Sequence, residues 1–203
     1  MPHKRAVAAG ARAFSDVRAI LHYSPNPVSQ GGGRGIKTFV EVACMSVDYD
    51  LLERQVRELL AGESDFIANA ANFASFVFHE LPDVNWAGFY LIRKGGELVL
   101  GPFAGRPACT RIPAGRGVCG AAAAAKQTVV VDDVAIFADH IACDAASRSE
   151  IVVPLFAGDD VFAVFDVDSP LLARFMHGDR NGIERLVRAF SGLARKPASA
   201  PVR

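Results

Sequence analysis

Apolar residues recur at helical spacing in three segments of the chain. The first segment begins near Asp48 and stops at Gly62, and its leucines repeat every three or four positions, which predicts a helix. Ser64 is a suitable N-cap for a second helix, whose apolar stripe covers 67–81. The last segment predicts a closing helix over about 179–193, again with one apolar face.

Between the second and the closing helix, β-branched and aromatic runs predict a series of strands. The predicted strands cover 84–92, 97–103, 109–112, 128–131, 150–156 and 161–167. Gly95-Gly96 and Gly158-Asp159 are typical hairpin turns, so the strands on either side of each are expected to pair antiparallel. A short alanine-rich helix is predicted to end near Ala125. This order predicts an α+β fold in which helices pack on a mostly antiparallel central sheet.

The first 47 residues differ in composition from the rest of the chain. They are basic and poor in acids, and they contain a linker-like glycine run over 31–35. We therefore expect a disordered N-terminal extension over 1–47, a folded domain over 48–195 and a flexible tail over 196–203. Because the extension weakly resembles a mitochondrial transit peptide, a mitochondrial location is the alternative to a cytoplasmic one.

Composition and charge exclude several classes of protein. Lys and Arg total 22, as do Asp and Glu, so no net charge favours nucleic acid or an anionic membrane. Hydrophobic residues make up 51% of the chain, which is enough to bury a core. The apolar runs are nevertheless too short for a membrane-spanning helix. The sequence therefore predicts neither a nucleic-acid partner nor a membrane partner.

The cysteines are the first candidates for chemistry. None of the four forms a C-x-x-C pair, so the common zinc spacings are absent and no metal site is expected. A free cysteine is often a small buried hydrophobe, and that interpretation is preferred for Cys44. Cys143 instead lies in a polar segment three residues after His140, which would stabilise a thiolate if the segment turns helically. Cys143 is thus a candidate reactive thiol in a reducing compartment.

Acidic residues occur at the ends of the last two predicted strands. Asp166 and Asp168 are two apart and share a face, and Glu150 opens the partner strand. If Glu150 lies opposite either aspartate, three carboxylates gather on one face. A regular two-residue turn would send Glu150 to the other face, so that arrangement needs an odd-length loop or a bulge. The alternative is that these acids are solvated. A cluster would bind an ammonium group or donate a proton.

Aromatic residues and a glycine-rich turn add two further features. Trp86 and Tyr90 share one face of a predicted strand, as ordinary core packing or as an aromatic wall for a small ligand. The turn over 115–120 leads into the alanine-rich helix, where backbone N–H groups could bind an anion such as a carboxylate. The turn lacks the lysine and the spacing of a P-loop.

Five segments occur in an order that is specific when taken together. They are Asn85-Trp86-Ala87-Gly88-Phe89-Tyr90, Leu100-Gly101-Pro102-Phe103, Gly115-Arg116-Gly117-Val118-Cys119-Gly120, His140-Ile141-Ala142-Cys143-Asp144-Ala145-Ala146-Ser147 and Asp166-Val167-Asp168-Ser169. From about residue 48 to 194 the chain resembles the free methionine-(R)-sulfoxide reductases, a branch of the GAF-domain superfamily. The resemblance implies a GAF-like domain.

The resemblance also implies roles for matching residues. It makes Cys143 the catalytic thiol, Cys109 the main resolving thiol and Cys119 a third thiol that can enter a disulfide. It assigns a substrate pocket to Trp86, Tyr90, Glu150, Asp166 and Asp168. Two departures from the family pattern stand out: Asp139 replaces a small residue, often glycine, and Phe162-Ala163 replaces an aliphatic–glycine pair. Cys44 matches nothing in the family pattern.

The implied activity is reduction of free L-methionine (R)-S-oxide to L-methionine. The Cys143 thiolate would attack the sulfoxide sulfur, one of the three acids would supply the proton, and Cys143 would be left as a sulfenic acid. Cys109 would then form a disulfide that thioredoxin, or dithiothreitol in vitro, reduces. No bound cofactor is expected, and the resemblance suggests a homodimer. The alternative is a non-catalytic GAF sensor of a small molecule.

Overall fold

The computed structural model describes residues 47–139, 141 and 145–194. The predicted extension lies outside the described residues apart from Val47, and so does the predicted tail. Cys44, His140 and Cys143 also lie outside them.

The described residues form four α-helices and six strands. The helices are α1 (Tyr49–Leu59), α2 (Phe66–Glu80), α3 (Gly117–Ala125) and α4 (His177–Leu193). The strands are β1 (Trp86–Ile92), β2 (Leu98–Gly105), β3 (Arg111–Ile112), β4 (Val129–Val131), β5 (Ser149–Ala157) and β6 (Asp160–Ser169). They make one sheet in the order β3-β2-β1-β6-β5-β4, and every neighbouring pair is antiparallel. The predicted α+β fold is therefore confirmed.

Three helices cover one face of the sheet, which we call the helical face. Helices α1, α2 and α4 bury their apolar stripes there against alternate residues of the central strands. At its centre Phe73 and Phe190 pack against Phe89 of β1, with ring centroids 5.9 and 4.9 Å away. Phe165 of β6 lies 4.8 Å from the Phe89 ring. The helical face carries the larger of the two clusters of buried apolar residues in the described part of the chain.

The second helix begins differently from the prediction. Its N-cap is Asp65 rather than Ser64, and the Asp65 carboxylate accepts a hydrogen bond from the N–H of Ala68 at 2.9 Å. Phe66 is buried, whereas Ile67 is exposed, so the apolar stripe starts one residue earlier than predicted. A carboxylate at this position also interacts favourably with the helix dipole, which explains why aspartate is the cap.

Helix α1 packs on α4 at a point where α4 has no side chain. The ring of Tyr49 lies against Gly182, and a methyl group at position 182 would overlap that ring. The Tyr49 hydroxyl donates a 2.8 Å hydrogen bond to Asp179 in the first turn of α4. Asp179 also pairs with Arg174 at 3.0 Å. This contact fixes the first helix of the described region against the last.

The opposite face, which we call the site face, carries the shorter helix α3. Val118, Cys119 and Ala122 of α3 pack there against Val152 and Val164 of the central strands. The site face therefore brings a cysteine from a helix onto the strands that carry the acidic residues. Among the described residues, no helix is both long enough and apolar enough to cross a bilayer.

The close approach of Tyr49 predicts a steric effect of Gly182→Ala. We expect a loss of roughly 1–3 kcal/mol in the free energy of unfolding, because the added methyl group forces the Tyr49 ring out of place. Gly192→Ala is the matched control, since it lies in the same helix and an added methyl group there meets open space. We expect the control to be neutral or slightly stabilising. Urea unfolding of both variants measures the difference, and equal stabilities would contradict the packing described.

Candidate active site

A β-bulge sets the register of the hairpin that carries the acids. Ala157 pairs with Asp160, so Gly158-Asp159 is a two-residue turn, as its sequence predicts. Phe156 pairs with Val161 but Leu155 pairs with Ala163, which leaves Phe162 as an extra residue in β6. Without that bulge, the turn would send Glu150 to the helical face.

The bulge residue is held by the core of the helical face. The Phe162 ring lies 6.0 Å from the ring of Phe66, in an edge-on contact. Because Phe162 packs with the helices, the residues of β6 beyond it are shifted by one place relative to β5. The departure from an aliphatic–glycine pair thus lies at the residue that fixes the register.

The resulting register places the acids side by side. Glu150 pairs directly with Asp168, and Asp168 pairs in turn with Trp86 on β1. Asp166 lies one row along, between Gly88 of β1 and Val152 of β5. Of the two registers that would cluster the acids, the structure has the one with Glu150 opposite Asp168. We call Glu150, Asp166 and Asp168 the acid cluster.

Two members of the acid cluster are almost fully buried. Glu150 is 5% exposed and Asp166 is 6% exposed, whereas Asp168 is less buried. Burial raises the pKa of Glu150 well above its ordinary value, and the charges of Asp166 and Asp168 raise it further. Burial also raises the pKa of Asp166 to about 7, although hydrogen bonds with Cys119 and Glu150 oppose that rise. The pair therefore keeps at least one proton near neutral pH.

Cys119 lies directly against the acid cluster. Its Sγ donates a hydrogen bond to Asp166 Oδ2 at 3.3 Å. The other oxygen, Asp166 Oδ1, is buried and accepts no hydrogen bond from the part of the chain that the structure describes. Burial raises the pKa of the Cys119 thiol well above its usual value, and the neighbouring charges of Asp166 and Glu150 add to that rise. In this position Cys119 is a protonated thiol rather than a thiolate.

The glycine-rich turn explains how Cys119 reaches the acids. Gly115 and Gly117 have φ of +72° and +64°, a left-handed conformation that glycine adopts readily. A Cβ on Gly120 would lie 2.7 Å from the carbonyl carbon of Gly115, so the turn folds back tightly on α3. The side chain of the N-cap residue Arg116 makes no capping hydrogen bond to the helix. Binding of an anion by the first N–H groups of α3 stays a prediction from the sequence.

Trp86 and Tyr90 form the expected aromatic pair on the site face. Their ring centroids are 5.9 Å apart and nearly parallel, and Phe103 stacks on Trp86 at 5.5 Å. Gly88 makes this stack possible, because a Cβ there would overlap both Trp86 and Phe103. Trp86 Nε1 donates to the carbonyl of Arg106 at 3.1 Å. The Trp86 and Tyr90 rings are deeply buried, and Trp86 pairs with Asp168 of the acid cluster.

Cys109 lies in the loop between β2 and β3. The sequence placed it at the start of a strand, but β3 begins only at Arg111. That part of the prediction is wrong, because only Arg111 and Ile112 find a pairing partner on β2. The Tyr90 hydroxyl donates a 3.0 Å hydrogen bond to the carbonyl of Cys109. Cys109 is half-buried and packs against the apolar residues of the site face.

The segment that carries Cys143 is described only on either side of that residue. Before it, Asp139 forms a 3.0 Å ion pair with Arg116, and Ile141 packs on the site face next to Gly117. After it, Ser147 Oγ accepts a 3.1 Å hydrogen bond from Asn85. His140 and Cys143 themselves lie outside the described residues.

Two contacts at this segment escaped the sequence interpretation. Asp139 has φ of +61°, a conformation that explains why glycine suits the position and that aspartate tolerates better than most residues. Its charge also pairs with Arg116, a contact that glycine could not make. Asn85 had been noted only as part of a motif, and no periodicity links it to Ser147, 62 residues away.

Known proteins resemble this chain in sequence. The GAF domain family model matches residues 68–194 of the chain. The free methionine-R-sulfoxide reductase of Escherichia coli (strain K12) is 49% identical over 139 residues. The matched region is 68% of this chain and 84% of that relative.

Solved structures share the fold. The free methionine-R-sulfoxide reductase of Neisseria meningitidis, determined in complex with its substrate, is 46% identical with a TM-score of 0.68. The match covers 71% of this chain and 86% of that one. A protein of Burkholderia vietnamiensis described as a candidate GAF sensor is 57% identical, with a TM-score of 0.68 and coverage of 72% and 92%.

The raised pKa of Asp166 predicts how stability depends on pH. The folded state keeps this proton up to about pH 7, whereas the unfolded chain releases it near pH ~4. The group therefore favours folding at low pH, and that contribution is lost as pH rises through 7. We expect Asp166→Asn to gain roughly 4 kcal/mol of stability relative to the unmodified chain between pH 4 and 8, since the pKa rises from about 4 to about 7 on folding.

Urea unfolding at a series of pH values measures this difference. Asp160→Asn controls for the loss of one negative charge, because it removes an exposed carboxylate from the same strand. A stability difference between Asp166→Asn and the unmodified chain that stays constant with pH would contradict the burial of a titrating carboxyl group.

Proposed function

The chain belongs to the GAF-domain family of free methionine-R-sulfoxide reductases, which are enzymes, and we propose that it reduces free L-methionine (R)-S-oxide to L-methionine with its own thiols. The observation that carries the proposal is the buried acid cluster beside Cys119 and the stacked Trp86–Tyr90 pair. The enzyme of Neisseria meningitidis, whose structure contains its substrate, supports the same substrate for this chain.

The acid cluster is the proposed binding site for the substrate's ammonium group. Asp166 Oδ1 is a buried acceptor without a donor, and such an atom is costly unless a ligand supplies one. The ammonium group would supply both donors and positive charge. The first N–H groups of α3 would bind the substrate carboxylate, and the Trp86–Tyr90 pair would contact its thioether chain.

This arrangement accounts for a preference for the free amino acid. A methionine sulfoxide within a polypeptide has neither a free ammonium nor a free carboxylate group. If it entered the site, the buried acids would lose their partner, and that loss disfavours the wrong substrate strongly. The preference for the R epimer rests on the family relationship.

In the first proposed step, the Sγ of Cys143 attacks the sulfoxide sulfur as a thiolate. The oxygen takes up one proton from the acid cluster and is transferred to Cys143. The products are free methionine, in which sulfur is reduced, and Cys143 sulfenic acid, in which sulfur is oxidised. Glu150 suits the proton transfer because burial raises its pKa well above its ordinary value, so it keeps a proton near neutral pH while Asp166 binds the ammonium group.

In the second step, Cys109 is the proposed resolving thiol. It attacks the sulfenic sulfur of Cys143, a disulfide forms and the oxygen leaves as water. Cys119 is less suited, since burial and the acid cluster keep it protonated and its S–H is engaged with Asp166. Cys109 is half-buried in a loop and packs on the site face, as does Ile141, which precedes Cys143 by two residues in the sequence.

The cycle closes when an external dithiol reduces the disulfide. A thioredoxin-type protein is the proposed physiological reductant, and dithiothreitol replaces it in vitro. Such a cycle needs a reducing compartment, which fits the cytoplasm and equally the mitochondrial matrix. A homodimer is proposed from the family relationship.

The reductase assay gives a direct prediction. With dithiothreitol and racemic free methionine sulfoxide, the purified chain should release methionine until about half of the racemate is consumed. Cys143→Ser should lose this activity at least ~1,000-fold because the nucleophile is gone, whereas Cys44→Ser should match the unmodified chain. Chromatography of free methionine measures the release. No release from folded protein would contradict the proposal and favour a GAF sensor.

A second substrate tests the recognition of the ammonium group. N-acetyl-methionine sulfoxide carries the same sulfoxide without the positive charge. The proposal requires its kcat/KM to fall at least ~100-fold, because the buried acids would be left unpaired. Equal rates for both substrates would exclude the acid cluster as the ammonium site.

The two resolving candidates separate in single-turnover and recycling assays. Cys109→Ser should still release one methionine per chain but lose most of its thioredoxin-dependent turnover, since no intramolecular disulfide forms. Cys119→Ser should keep thioredoxin-dependent turnover within about tenfold of the unmodified chain, because its thiol is protonated and engaged. The opposite pattern would assign the resolving role to Cys119.

A further inference from the structure

Three potential metal ligands meet beneath the site face. Cys119 Sγ and one carboxylate oxygen each of Glu150 and Asp166 all lie within 4.8 Å of one another, and all three residues are buried. They come from three different elements, namely α3, β5 and β6. The fold therefore brings them together without help from a ligand. We call these three residues the thiol–carboxylate site.

The spacing within the thiol–carboxylate site suits a small tetrahedral cation. Cys119 Sγ and Asp166 Oδ2 are 3.3 Å apart. A sulfur and an oxygen bound to the same Zn²⁺ are separated by roughly 3.6 Å, given bonds of about 2.3 and 2.1 Å at a tetrahedral angle. Two of the three ligands are thus close to binding geometry already.

A second observation indicates a positively charged ligand. Asp166 is 6% exposed, and its Oδ1 accepts no hydrogen bond from any described residue although it is buried. A buried carboxylate oxygen without a donor is rare in folded proteins, because it forfeits its hydration. The substrate ammonium would satisfy this oxygen during turnover, and a metal cation held by both oxygens of the Asp166 carboxylate would satisfy it as well.

We propose that the thiol–carboxylate site also binds a thiophilic divalent cation, Zn²⁺ in particular, in place of the substrate ammonium, and that zinc thereby inhibits the enzyme. A bound cation would displace the protons of these groups, and the resulting thiolate and two carboxylates match a zinc site with a fourth position left open. Mg²⁺ and Ca²⁺ fit poorly, because they require six or more oxygen ligands and avoid sulfur. The inhibitory part rests on the proposed function, whereas the binding part does not.

Cobalt binding tests the site without reference to activity. Co²⁺ replaces Zn²⁺ at tetrahedral sites and gives a near-ultraviolet charge-transfer band when a thiolate is bound. We expect the full chain, reduced with a phosphine, to bind one Co²⁺ with this band, and excess Zn²⁺ to abolish it. Equilibrium dialysis with Zn²⁺ should give one ion per chain. A chain that binds neither ion would overturn the proposal.

Variants assign the ion to its ligands. Cys119→Ser should lose the cobalt band, and Asp166→Asn should weaken Zn²⁺ binding at least tenfold, while both keep the circular dichroism of the folded chain. Cys109→Ser and Cys143→Ser are matched controls that should keep both the band and the affinity. A band that survives in Cys119→Ser, or vanishes in either control, would place the ion at the other thiols and overturn the assignment.

Competition with substrate tests the inhibitory part. In single turnovers of pre-reduced enzyme, which need no metal-binding dithiol, Zn²⁺ should raise the substrate concentration for half-maximal rate at least tenfold and leave the maximal rate unchanged. A fall in the maximal rate alone would exclude a shared site. If the chain shows no reductase activity, the proposed function fails, whereas the cobalt experiment still decides whether the ion binds.

Discussion

The burial of two carboxyl groups side by side is the constraint on which the site depends. Glu150 and Asp166 have too little water around them to carry two charges, so the folded chain holds a proton between them. Burying such a pair lowers the free energy of unfolding near neutral pH, and interactions elsewhere must compensate for that loss. The offset comes from the helical face, where Phe73, Phe89 and Phe190 form the centre of a continuous aromatic core. One sheet thus carries the aromatic core on one face and the candidate site on the other.

The sequence predicted the elements of this architecture better than their details. The α+β order, the two hairpins and the closing helix follow from periodicity and turn residues, which are local signals. The cap of α2 was misplaced because Ser64 and Asp65 are both good capping residues, and only the packing of Phe66 decides between them. Cys109 was placed on a strand because β-propensity does not show which residues pair with β2, and only Arg111 and Ile112 of this segment do so.

The clustering of the three acids depends on a strand register that local sequence patterns do not predict. The sequence identified Glu150, Asp166 and Asp168 but left open whether they share a face, since that depends on one extra residue in β6. Phe162 is that residue, and the contact that holds it is with Phe66, far away in sequence. The thiol at Cys119 shows the same limit: no spacing rule predicts that an α3 residue will donate to Asp166 on β6.

Trp86 has a consequence beyond the contacts it makes. It is the only tryptophan in the chain, and it lies in the same sheet row as Glu150 and Asp168. Its indole stacks on Tyr90, whose hydroxyl holds the backbone of Cys109. The intrinsic fluorescence of the protein therefore originates at the site itself. The proposed changes of occupancy and of thiol oxidation would therefore be followed through tryptophan fluorescence, in real time and without a label.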